Sequence, residues 1–226
     1  MRKLVISSAV SLALGACSFA VNAADTATLT VTGTITPSAC DVALSTASLD
    51  VGKLAASDLS EAANDIKPAS STLSVSCDAS TTVALQVKDD RSASAYTLTE
   101  FATDYNGTSF SSGVTDSSMF GLGTDSASNK VGMLLMAISD ARINSATGTL
   151  LSSADKTTWT AASGSYILSK DGYISVASGS GSSVPASLTT AAFTLQPMIY
   201  LKKGDKYPSG EEVKIDGSVT FSVVYL

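Results

Sequence analysis

The chain has 226 residues, a formal net charge of −6, no histidine and three cysteines. The lack of imidazole excludes Ser–His and Cys–His nucleophilic schemes and histidine-based metal sites. The acids are thinly spread and no basic patch is present, so nucleic acid is not an expected partner.

Residues 1–23 read as a secretory leader. Arg2 and Lys3 form a basic start, residues 4–16 are apolar, and Val21-Asn22-Ala23 offers small or aliphatic residues at the positions a signal peptidase reads. Cleavage is expected between Ala23 and Ala24. The apolar run is too short for a permanent membrane anchor. A second reading of this region is a lipoprotein modified at Cys17, after Leu14-Gly15-Ala16. Cleavage after Ala23 leaves 226 − 23 = 203 residues, and removing Arg2 and Lys3 moves the charge to −6 − 2 = −8. The expected product is exported to the periplasm and beyond, and is large enough for one all-β domain. Two cysteines then remain, Cys40 and Cys77. In an oxidising compartment an even pair reads as one disulfide; two buried free thiols are the alternative.

Short segments alternate apolar and polar residues between Gly, Ser, Asp and Asn clusters, as half-buried strands do. Residues 27–35 (ATLTVTGTI) place Ala27, Leu29, Val31 and Ile35 on one face. Residues 72–77 (TLSVSC) align Leu73, Val75 and Cys77. Further strands are expected at 83–87, 130–138, 173–177, 191–201 and 218–226, the fourth of these seven containing the most apolar run, VGMLLMAI. Strands at this spacing predict an antiparallel sandwich or barrel. Residues 88–118, 139–165 (with the only tryptophan, Trp159) and 179–183 (GSGSS) read as loops. Asn106-Gly107-Thr108 fits a glycosylation sequon but reads as a turn.

Catalytic constellations are weak. Asp89 with Asp90 and Glu211 with Glu212 are the adjacent carboxylate pairs, each beside a strand end where solvated turn acids are expected. Gly121-Leu122-Gly123 lacks the flanks of a phosphate-binding loop. No enzyme activity, cofactor or metal is expected.

The termini carry the functional signal. Residues 217–226 (GSVTFSVVYL) form an expected strand with Val219, Phe221, Val223 and Tyr225 on one face and Leu226 at the end. An unpaired edge of such a strand is a site for strand addition. Residues 24–31 (ADTATLTV) are either an ordinary first strand or a donor strand for a neighbouring copy.

Residues 32–40 (TGTITPSAC), Cys77 at the end of a strand and the penultimate Tyr225 together resemble the subunits of chaperone–usher fimbriae. Residues 49–60 (LDVGKLAASDLS) and the GSVTFSVVYL ending are most similar to the β-fimbriae-type homologues within that group. Gly210 and Gly217 straddle the position where the group carries a glycine near the C-terminus. The resemblance implies an immunoglobulin-like β-sandwich lacking its last strand and organised as leader 1–23, donor extension 24–32 and pilin-like domain 33–226. It implies that Ala27, Leu29 and Val31 insert into the groove of the next subunit. That groove would be flanked by Val219, Phe221, Val223, Tyr225 and Leu226, and a periplasmic chaperone and outer-membrane usher would serve as assembly partners. The implied function is a structural subunit of a cell-surface fimbria. The alternative is a self-complete adhesin or carbohydrate-binding protein using the 88–118 and Trp159 loops.

Overall fold

The computed structural model describes residues 27–35, 38–110 and 113–226. The expected leader, Cys17 and the cleavage site at Ala23 and Ala24 lie outside the described residues. The chain divides between residues 36 and 37. Before that division, residues 27–35 are irregular backbone with no strand, and Leu29, Val31 and Ile35 are exposed. The strand expected there has the required alternation, but a strand also needs a neighbour for its N–H and C=O groups.

After the division come β1 (Cys40–Leu44), β2 (Ala63–Ile66), β3 (Ser71–Thr81), β4 (Val83–Asp89), helix α1 (Leu98–Asp104), β5 (Phe120–Gly121) and β6 (Gly132–Ile143). β7 (Ala146–Ser153), β8 (Thr160–Ala161), β9 (Tyr166–Ile167), β10 (Tyr173–Ser178), β11 (Leu188–Lys202) and β12 (Val219–Tyr225) follow. The strands form an antiparallel path in the order β1-β3-β11-β6-β7-β10-β4-β12, with β2 on β11, β5 and β9 on β6, and β8 on β7. The protein is all-β, with a disulfide between Cys40 and Cys77, as the sequence predicts.

The path folds over at the β6–β7 hairpin. There Ile143 pairs with Ala146 across Asn144 and Ser145, both at positive φ (47° and 68°). Two such residues match the right-handed twist of the flanking strands. The Asn144 carboxamide oxygen also accepts from the Thr189 and Thr190 amides at 2.9 and 3.1 Å, fixing the start of β11. Leu73 and Val75 of β3, Phe193 and Leu195 of β11, Leu85 and Val87 of β4, and Ile174 and Val176 of β10 fill the space between the layers.

β6 is apolar on both faces for a second reason. Leu134, Met136 and Ile138 point into this core, whereas Met133 and Leu135 pack outward against Tyr96, Phe101, Tyr105 and Met119. A strand covered on both sides reads as a continuous apolar run. The cover comes from residues 88–118, expected to be a polar loop. A capping box holds α1: the Thr97 hydroxyl accepts from the Glu100 amide at 3.2 Å and the Glu100 carboxylate accepts from the Thr97 amide at 2.8 Å. Phe101 and Tyr105, four apart on α1 and its cap, stack at 4.1 Å between centroids. The Tyr105 hydroxyl donates to the Tyr200 carbonyl of β11 at 3.0 Å from a fully buried position. Tyr105→Phe removes this bond, so urea denaturation should show a loss of about 1 kcal/mol; an unchanged midpoint would mean that the strand ladder or water satisfies the carbonyl.

Candidate functional site: a groove between the two ends of the sheet

β1 and β12 stand at the two ends of the strand path, each with one edge unpaired among the described residues. β1 is paired to β3 from Cys40↔Cys77 to Leu44↔Leu73. β12 is paired to β4 from Val219↔Asp89 to Tyr225↔Val83. The free edges face a groove of about 950 Å³. Leu134, Met136, Leu195 and Ile199 form its floor, Val219 and Phe221 one wall, and residues 46–54 the other. The irregular residues 213–218 prolong the β12 wall, with Val213 and Ile215 lining the groove.

One end of the gap is closed. The Cys40 amide donates to the Tyr225 hydroxyl at 3.0 Å, joining the start of β1 to the end of β12. Cys40 is held in turn by its disulfide to Cys77, its direct cross-strand partner. At the other end, Asp90 holds the start of β12: its carboxylate accepts from the Thr220 hydroxyl at 2.7 Å and the Ser218 hydroxyl at 3.0 Å. These two bonds, the Thr220 one first, hold the Asp90 carboxyl below its ordinary value near 3.8. A folded-state value below the unfolded one stabilises the fold fully above about pH 5, and this stability fades as pH falls through the lowered value. Asp90→Asn should therefore flatten the fall of Tm between about pH 5 and pH 3; an unaltered pH profile would show that other carboxylates carry it.

Three of the four acids considered for catalysis, Asp89, Asp90 and Glu211, have hydrogen-bond partners within the fold. Asp89 is buried, and its two oxygens accept from the Arg91 amide at 2.8 Å and the Gly121 amide at 3.0 Å. Glu211 accepts from the Ser126 hydroxyl. Arg91 also pairs with Asp216 at 2.8 Å on the groove rim. The pair holds the Asp216 carboxyl down and raises the Arg91 guanidinium, mainly through their hydrogen bond. Both groups are well exposed, so this contact orients more than it stabilises. Among the described residues no cluster of three or more His, Cys, Asp or Glu is placed to hold a metal.

The residues singled out in the sequence fall in distinct places. Val219 and Phe221 line the groove, Val223 packs on the core beyond it, and Tyr225 and Leu226 are about half exposed. Ala27, Leu29 and Val31 lie on the exposed irregular segment. Trp159 sits half-buried after β7, its indole N–H donating to the Lys156 carbonyl at 3.1 Å. Not singled out, yet part of the groove, are Leu44, Val51 and Ile215. The signal for the last two is short: Leu49 with Val51, and Val213 with Ile215, keep the two-residue apolar spacing of a strand without its length.

Residues 29–134 match a family model described as "Protein of unknown function (DUF1120)". That stretch contains β1 to β5, the disulfide and α1, and ends inside β6. The chain is also 28% identical over 253 aligned positions to Protein GltF of Escherichia coli (strain K12), an alignment covering 100% of this chain and 99% of that protein. No solved structure matches the chain.

Proposed function

We propose that this chain is a non-catalytic structural subunit of a bacterial surface fimbria. In this reading a periplasmic chaperone and an outer-membrane usher deliver it, and donor-strand exchange joins it to its neighbours. One observation carries the reading: an apolar-floored groove of about 950 Å³ lies between two strand edges that have no ladder partner among the described residues. Unpaired edges beside an apolar trough accept an added strand, the backbone ladder giving affinity and alternate side chains giving specificity. Residues 27–31, with Ala27, Leu29 and Val31 on one face, have the chemistry of that strand, and they would come from another copy.

A second reading is a self-complete surface or periplasmic binding protein. It is favoured by Val51 and Ile215, which already pack against the core from the groove's rim. The 88–118 aromatics lend it little support, since Tyr96, Phe101 and Tyr105 are buried and Phe110 is half-buried against them.

Thermal unfolding of residues 33–226, with and without a synthetic peptide of residues 24–33, separates the two. A fibre subunit should be marginal alone and gain a higher, cooperative transition with peptide; a self-complete domain should unfold cooperatively and ignore it.

A further inference from the structure

The groove wall opposite β12 is a strap with fixed ends and a loosely held middle. At its first end, the Ser45 amide donates to the Thr72 carbonyl at 2.9 Å, and the Thr46 amide to the Ser71 hydroxyl at 3.2 Å. At its second end, the Gly204 amide donates to the Leu59 carbonyl at 2.8 Å. That foot is wedged tightly, since a Cβ on Gly204 would lie 1.9 Å from the Ala56 carbonyl oxygen.

Between these feet, residues 47–54 make no hydrogen bond to another element among the described residues. Their one bond is local, from the Gly52 amide to the Asp50 carboxylate at 2.8 Å. It closes a turn in which Gly52 takes a φ of +69°, a conformation glycine adopts without strain. The turn carries Val51 at its tip. Val51 is half-buried against the core, while Leu49 and Leu54 on either side remain 36% and 39% exposed. Of residues 47–54, Val51 is the one that packs partly buried against the core among the described residues, while Leu49 and Leu54 line the groove more exposed.

We propose that residues 47–54 are an in-chain placeholder, with Val51 a plug that an incoming strand displaces. This rests on the groove being the seat of an added strand. The β12 edge lacks a ladder partner among the described residues, so a strand can pair there along Val219 and Phe221 once Val51 withdraws. The feet at 45–46 and 56–59 confine the displacement to the turn. The plug shields the apolar floor before assembly and competes with every occupant, so a short apolar sequence must outbid one valine and a random polar peptide does not. A competing closed state weakens apparent affinity by the fraction of chains that are open.

The test compares the full chain with its Val51→Ser variant, using a labelled peptide of residues 24–33 as probe. The variant should bind the peptide about fivefold more tightly, because the closed state is weakened. Its peptide-free Tm should fall by about 2–6 °C, while its peptide-saturated Tm stays at the wild-type value. A wall residue that stays in place behaves differently: both Tm values fall together and affinity is unchanged or weaker, which overturns the placeholder. Should Val51→Ser fail to fold, amide exchange on the wild-type chain decides, with residues 47–54 exchanging at least as fast after peptide binding. Slowed exchange there would mean that the strap pairs with the peptide instead of yielding to it. If neither chain binds the peptide, the strand-acceptor reading itself falls, and the placeholder with it.

Discussion

Replacing both Cys40 and Cys77 with serine should lower the unfolding free energy by about 3–4 kcal/mol. The bridge closes a separation of 37 residues, and the chain-entropy penalty it removes from the unfolded state grows with the logarithm of that length. For a domain of this size the loss corresponds to roughly 10 °C in Tm. The site of the bridge adds a local consequence. β1 is only five residues long and is laddered on one side, to β3. Without the covalent link its first residue is retained by the ladder and by the Cys40–Tyr225 hydrogen bond. β1 should therefore fray from the Cys40 end, opening the closed end of the groove. Amide exchange at residues 40–42 in the double variant should then accelerate more than exchange in β11, whose fifteen residues sit between β3 and β6. Equal acceleration in both strands would show that the bridge acts on global stability alone.

The parts of this fold that were legible are those where one physical signal dominates. β3 and β12 alternate because one face meets the core and the other meets water. β4 and β10 are buried over most of their length, yet their β-branched and apolar residues mark them, and all four expected spans match the strands to within a few residues. β6 was legible as an apolar run, but the reason for the run was not: Met133 and Leu135 need the aromatic cover of residues 96–105. That cover is masked in the sequence because serine, threonine and aspartate dominate residues 88–118 by number, while Tyr96, Phe101 and Tyr105 carry the burial. The signal was there in Thr97-Leu98-Thr99-Glu100, a capping box, followed by Phe101 and Tyr105 four apart. β7 carries no local strand signal and falls within the expected 139–165 loop because its residues, ATGTLLSS, bury only Leu150 and Leu151 deeply and become a strand by pairing with β10. Such pairing is a long-range fact, and a local pattern does not contain it.

The groove was half legible for the same reason. Val219 and Phe221 follow from alternation in β12, but its other wall is irregular chain from residues 46–54, fixed by Ser71, Thr72 and Gly204. No periodicity announces a wall built from turns. The disulfide needed only cysteine counting after the leader, whereas its position beside the groove mouth needed the β1–β3 register.

The largest ligand effect should come from the strand itself. At about one hundred times its Kd, a peptide of residues 24–33 should stabilise residues 33–226 by about 2.7 kcal/mol, or roughly 5–10 °C. The peptide offers Ala27, Leu29 and Val31 at a spacing of two, so all three side chains project to one side of an extended strand. Burying leucine and valine is worth roughly 1.5–3 kcal/mol each against the apolar floor. Aspartate at both positions replaces that gain with the cost of desolvating two charges. The Leu29→Asp/Val31→Asp peptide should thus leave the transition where it is, while a scrambled peptide of the same composition should stabilise little, its apolar residues falling on both faces. In the full chain the same double substitution should abolish any self-association that heat dissociates. On the acceptor side, Phe221→Asp should block peptide binding by the same logic, since Phe221 lines the wall beside the incoming strand. Stabilisation by the aspartate peptide equal to that by the native one would show that backbone pairing alone is being read. No stabilisation by either would remove the donor-strand mechanism and leave a self-complete binding protein, with Val51 and Ile215 as permanent parts of its core.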